Sequence, residues 1–139
     1  MTAARKEKLQ RFREMIRTLA ALPPEKRAEL SSRMGSIVTC DGHVLSLRNS
    51  CLIGFQTQRP VTMVGGFSQW QRHGRAVNKD EHGLMILFPS QKKQAEGSES
   101  EAELFFLMGY VYDVTQTHEM TVEELQRRRA DADRKEVEL

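Results

Sequence analysis

Gly65-Gly-Phe-Ser-Gln-Trp70-Gln-Arg-His-Gly74-Arg75-Ala-Val77-Asn-Lys79-Asp-Glu-His-Gly83 is the stretch on which the reading of this chain turns. Residues 67–73 can form two helical turns, and Gly74 behind them is free to take the left-handed conformation in which many helices end. Residues 78–83 have turn composition, and Leu84-Met-Ile-Leu-Phe88 reads as a mostly buried strand. A hairpin joining 75–77 to 84–88 is therefore expected. The same stretch holds the one tryptophan of the chain with two arginines, two histidines and a lysine. Aromatic faces stack on bases while cations neutralise phosphate, so this grouping suits single-stranded nucleic acid. Phe67 is expected in the core and Trp70 partly exposed, against the alternative that Trp70 only fills a small core.

Working outward from this stretch, the upstream half is helical. Leu9, Phe12, Ile16 and Leu19 recur at three- and four-residue steps and line one face of a helix over 8–22. Pro23-Pro24 stops it, and a proline is tolerated in the first turn of the next helix, expected over 25–34. Ser46 is the N-cap candidate of a third helix running to Gln56, with Leu45, Leu52, Ile53 and Phe55 as its buried residues. Val61-Thr-Met-Val64 has strand composition. Downstream, residues 90–101 are polar and of low complexity, which predicts a mobile loop. Residues 103–113 are the longest strand candidate and should pair with the strand ending at Phe88. Thr121-Val-Glu-Glu124 matches a capping box and opens a charged helix over 121–136. The fold class is α+β: N-terminal helices, a small, largely antiparallel sheet with a short inserted helix, and a C-terminal helix. One domain is expected over 1–139, with its core at about 8–120.

Charge is distributed unevenly. Residues 1–35 carry nine Lys/Arg against four Asp/Glu, whereas residues 90–139 carry seven against twelve, so a basic front precedes an acidic back. The net +2 is too small to argue for a polyanion alone, but a basic first helix can steer one. The longest apolar run, 84–88, is far short of the roughly 20 residues a membrane-spanning helix needs. Cys40 and Cys51 are expected as free thiols, as in a reducing cytoplasm. His118-Glu119 starts like a zinc-protease motif, but Val122 stands where the second histidine belongs. No phosphate loop, nucleophile elbow or zinc-finger spacing is present, so no catalytic residue, metal or cofactor is expected.

The binding candidates are Trp70 for stacking and Arg72, Arg75 and Lys79 for phosphates. Asn49 and Gln56 share the apolar face of the third helix, where amides need partners, and either bond the backbone of the sheet or face bases. Gln116 is kept as a further contact, and Asp113, which repels phosphate, is read as structural.

Three segments taken in order, 45–56, 66–83 and 111–117, resemble the N-terminal domain of ArdC-type antirestriction proteins. The resemblance covers about residues 8–120. It implies a cytoplasmic domain that binds single-stranded DNA, in proteins of conjugative plasmids and other mobile elements that protect incoming DNA from host restriction. In that family the turn reads V-x-K-G-E-[KR]-G; here Asp80 replaces the glycine and His82 the cation. Larger members carry a zinc metallopeptidase domain whose HExxH is missing here, so the expectation is a stand-alone binding module or a fragment of a longer protein. The alternative from another class is a protein-interaction module that contacts a restriction or replication protein.

Overall fold

A computed structural model of the chain describes residues 2–88 and 108–138, the last seven of these as backbone only. Helix α1 (Ala3–Ala21) starts where Thr2 Oγ1 accepts the Arg5 N–H, and buries Leu9, Phe12 and Leu19 on one face. The proline pair ends it, and α2 (Pro24–Met34) follows at once with proline at its first position. Arg27 Nη2 donates to Ala20 O at the C-terminal end of α1, and Arg33 Nη2 donates to Gly54 O, which ties α2 to the next helix. That helix, α3 (Leu47–Gln56), is capped by Ser46 as expected.

A four-stranded sheet has the order β1 (Val38–Thr39), β2 (Met63–Gly65), β5 (Met108–Asp113), β4 (Leu84–Leu87). Strands β1 and β2 are parallel, while the β2–β5 and β4–β5 pairs are antiparallel, with Leu84 opposite Val111 and Leu87 opposite Met108. Short helix α4 (Phe67–Arg72) leaves the end of β2. It leads into β3 (Arg75–Val77), which forms a second, two-stranded antiparallel sheet with β6 (Thr117–Glu119). A 3-10 turn, Val114–Gln116, joins β5 to β6. Helix α5 (Val122–Glu138) begins with the expected box: Thr121 Oγ1 accepts the Glu124 N–H, and Glu124 Oε1 accepts the Thr121 N–H. Leu9, Phe12, Leu19, Leu52 and Leu87 form one apolar cluster between α1, α3 and β4. Ile37, Ile53, Val64, Ile86 and Val111 form another between α3 and the sheet.

The α+β class and the β4–β5 pairing agree with the sequence; the hairpin between 75–77 and 84–88 does not form. Both edges of β4 are already taken. One edge pairs with β5, and the other is closed by α3, whose amides sit seven residues apart and meet alternate residues of the strand. Asn49 Nδ2 donates to Leu87 O at 2.8 Å and Asn49 Oδ1 accepts the Leu87 N–H at 2.9 Å. Gln56 makes the same pair of bonds to Met85, at 2.8 and 2.7 Å. Two side chains thus act as a surrogate strand and protect an edge that would otherwise be open. Phe55, expected in the core, is 36 % exposed. The predicted loop at 90–101 and the first part of the strand predicted at 103–113 lie outside the described residues.

Candidate nucleic-acid interface

Trp70, expected to be partly exposed, is 2 % exposed, and the expectation is overturned. Its indole Nε1–H donates to Tyr112 O at 2.9 Å, so the ring pins α4 onto β5. Space for it comes from Gly65, where an added Cβ would lie 3.1 Å from Nε1. A buried indole with its N–H satisfied is core and has no face left for a base. Phe67, expected in the core, points out and is 53 % exposed. The two aromatics have exchanged roles because Gly65, not the helix pattern, decides which side of α4 can approach the sheet.

The other predicted contacts divide in two. Asn49 is buried and spends its amide on Leu87, so it has none for a base. Gln116 is likewise engaged: its Oε1 accepts the Asp113 N–H, and its Nε2 donates to Glu81 Oε2 and His82 O. Asp113 is structural, its carboxylate accepting the N–H groups of Thr62 and Thr115. Arg75 is half-buried and donates through Nε to Thr117 Oγ1 at 2.8 Å and through Nη2 to Thr117 O. Lys79 and Arg72 are exposed. Lys79 occupies a turn in which Asp80 takes φ +67, the left-handed region, at the position where the family pattern has glycine. Arg72 stands in a shallow cleft between α4 and α5, together with Arg127 and Arg128. Arg75, Lys79 and Gln116 therefore gather around β3 and β6, while Asn49 lies at the edge of β4 and Trp70 beneath α4.

The surface that combines accessible aromatic rings with cations adjoins this side of the molecule, and Gln116 is one of its lining residues. Between α1, the end of α3 and the start of β4 runs a groove of about 770 Å³, with Arg11, Phe55, Arg59, His82 and Gly83 among its walls. Tyr110, 36 % exposed, adjoins it: an added Cβ at Gly83 would lie 2.8 Å from Tyr110 Cβ. The Lys8 ammonium stands over the Tyr110 ring, 5.9 Å from its centroid, within range of a cation–π contact. Lys8 and Arg11 are three residues apart on α1, so both project from one side of the helix. Acidic Glu14 and Glu81 also line the groove, and Glu81 is held by Gln116. Lys8, Arg11, Arg59 and Tyr110 were not singled out from sequence as contacts, and Phe55 was read as core. The available signals were the basic first helix and the alternation along β5, which turns Val111 inward and Tyr110 outward.

Beside β3 and β6, His118 bridges Asn78 Oδ1 through Nδ1 at 2.7 Å and Glu124 through Nε2 at 3.0 Å, linking the turn, β6 and α5. The backbone N–H of Thr121 and then the His118 contact hold the Glu124 carboxyl below its ordinary range. Asp41 is lowered likewise, by hydrogen bonds from His73 and then Gln69. Burial pushes both thiols up, at Cys40 with help from the neighbouring Asp41 charge. Both cysteines are free.

This is an α+β module whose open groove is rimmed by half-exposed aromatic rings and cations. The chain belongs to the family of the N-terminal domain of anti-restriction factor ArdC, whose model matches residues 10–134. The family ties it to antirestriction and is not a known enzyme family. No curated protein and no solved structure matches the chain. Among the described residues no helix is long and apolar enough to cross a membrane.

Proposed function

We propose that this domain is a non-enzymatic, sequence-tolerant binder of single-stranded DNA that serves antirestriction. In this reading the strand lies along α1 and the adjoining groove. The observation that carries it is the Tyr110 ring, half open to solvent beneath the Lys8 ammonium, at the rim of a groove flanked by Arg11, Arg59 and Phe55. An unpaired base stacks on Phe55, or on Tyr110 once the Lys8 ammonium has left that ring for a phosphate, while Arg11 and Arg59 meet further phosphates. Lys79, two residues before the groove-lining Glu81, adds a fourth phosphate contact. Nothing in this set reads a base edge, hence the sequence tolerance. Arg75 supports the β3–β6 side behind the groove, and Gln116 lines the groove with its amide engaged by Asp113, Glu81 and His82.

Titration of matched single- and double-stranded oligonucleotides at two salt concentrations tests the proposal. Single strands should bind more tightly. Four phosphate contacts predict that log affinity falls against log salt with a slope of about −3, and Arg11→Ala should flatten it by about 0.7. Equal affinity for duplex, or a slope that Arg11→Ala leaves unchanged, would remove this assignment.

A further inference from the structure

We propose that Cys40, Asp41 and His73 form a binding site for a divalent ion of the zinc class. One ligand atom from each, the Cys40 Sγ, an Asp41 carboxylate oxygen and a His73 ring nitrogen, lie within 4.8 Å of one another. Thiolate, imidazole and carboxylate are the three donor types that zinc takes, and three protein ligands leave a fourth position for water. Cys40 and Asp41 are the central residues of a turn closed by Gly42 N–H donating to Thr39 O, with Gly42 at φ +91. The Cys40 N–H donates to Val64 O, which fixes the turn to β2. His73 ends α4, its N–H bonded to Trp70 O, so the third ligand comes from an element anchored by the buried indole. Gln69 adds an outer contact: its Nε2 donates to Asp41 Oδ2 at 2.7 Å, while its Oε1 accepts the Gly66 N–H.

His73 Nε2 and Asp41 Oδ1 now meet at 2.6 Å. Zinc–ligand bonds of about 2.0–2.3 Å at tetrahedral angles require ligand atoms a little over 3 Å apart. An ion therefore enters by replacing this hydrogen bond with two coordinate bonds, a small opening of two part-exposed side chains. Binding displaces the Cys40 thiol proton to solvent, and the resulting thiolate with the Asp41 carboxylate balances the two charges of the ion, so the nearby Arg72 opposes it only weakly. Asp41 and His73 are 32 residues apart in the chain, beyond the reach of any short metal motif.

Reduced, chelator-stripped protein titrated with Co²⁺ provides the test, read by thiolate-to-cobalt charge-transfer absorption. The expected result is a band that saturates at one equivalent and is displaced by Zn²⁺. Cys40→Ser should abolish the band, and Cys51→Ser should keep it. His73→Gln and Asp41→Asn should each weaken binding by about tenfold or more, and Gln69→Ala by about tenfold through the outer contact. Circular dichroism confirms that each variant is folded. Absence of the band in wild-type protein overturns the site without recourse to any variant, as does a band that survives Cys40→Ser. Neither result bears on DNA binding.

Discussion

Around α4 and α3 the indole of Trp70 and the amides of Asn49 and Gln56 turn inward, whereas along α1 and β5 an aromatic ring and its cations stay in solvent. Trp70 hydrogen-bonds Tyr112 O beneath α4, and Asn49 and Gln56 close the edge of β4. Tyr110, by contrast, lies half open under Lys8. A tryptophan or an amide close to several cations looks like a binding site in sequence, yet here these residues build the frame. The difference teaches that burial is decided by what faces the residue: Gly65 makes room for an indole, and an unpaired strand edge demands amides.

The sharpest way to break the contrast is Trp70→Ala, which removes a sealed ring and leaves a cavity. Such truncations cost about 3–5 kcal/mol, to be read as a lowered denaturant midpoint. A cost near zero would mean that the ring is not core. Asn49→Ala and Gln56→Ala come next. Each leaves an N–H and a C=O of β4 unpaired, with an expected loss of about 1–3 kcal/mol, also measured by denaturation. Asp80→Gly is smaller: it relieves a non-glycine residue at positive φ and should stabilise by up to about 1 kcal/mol, seen as a slightly higher melting temperature. A lower melting temperature would show that the Asp80 side chain contributes more than its backbone costs.

The smallest effect concerns pH at α5. The Glu124 carboxyl is held below its ordinary value of 4.5, so its contribution to stability is fully present above that value. It is lost as pH falls through the lower, folded value. Glu124→Gln should remove this acid-dependent part, and amide exchange in the first turn of α5 on acidification of both proteins measures it. Identical acid profiles for the two would show that the contact does not hold the helix start.

Local signals carried much of the fold. Ser46 and the Thr121/Glu124 box cap the predicted helices because a cap needs only residues within three positions. The proline pair breaks α1 from α2 for a similarly local reason. Pairing of β3 with β6 was not legible, because Arg75 and Glu119 meet across a long separation and the competing edge of β4 is closed by side chains. The short β1 gave no signal of its own, since its two residues count as a strand only beside β2. Of the site, the basic character of α1, Lys79 and the groove-lining Gln116 were visible, and the stacking rings were not. Tyr110 and Phe55 become neighbours of Arg11 and Lys8 only when α1 crosses the sheet.

The central claim is that the base-stacking ring belongs to Tyr110 on the α1 side and not to Trp70. Affinity for a short single-stranded oligonucleotide at one fixed salt concentration, compared among wild type, Tyr110→Ala and a folded Trp70→Phe variant, tests it most directly. Tyr110→Ala should lose about 1–3 kcal/mol of binding while Trp70→Phe binds as wild type. Loss of binding in Trp70→Phe with full affinity in Tyr110→Ala would contradict the account.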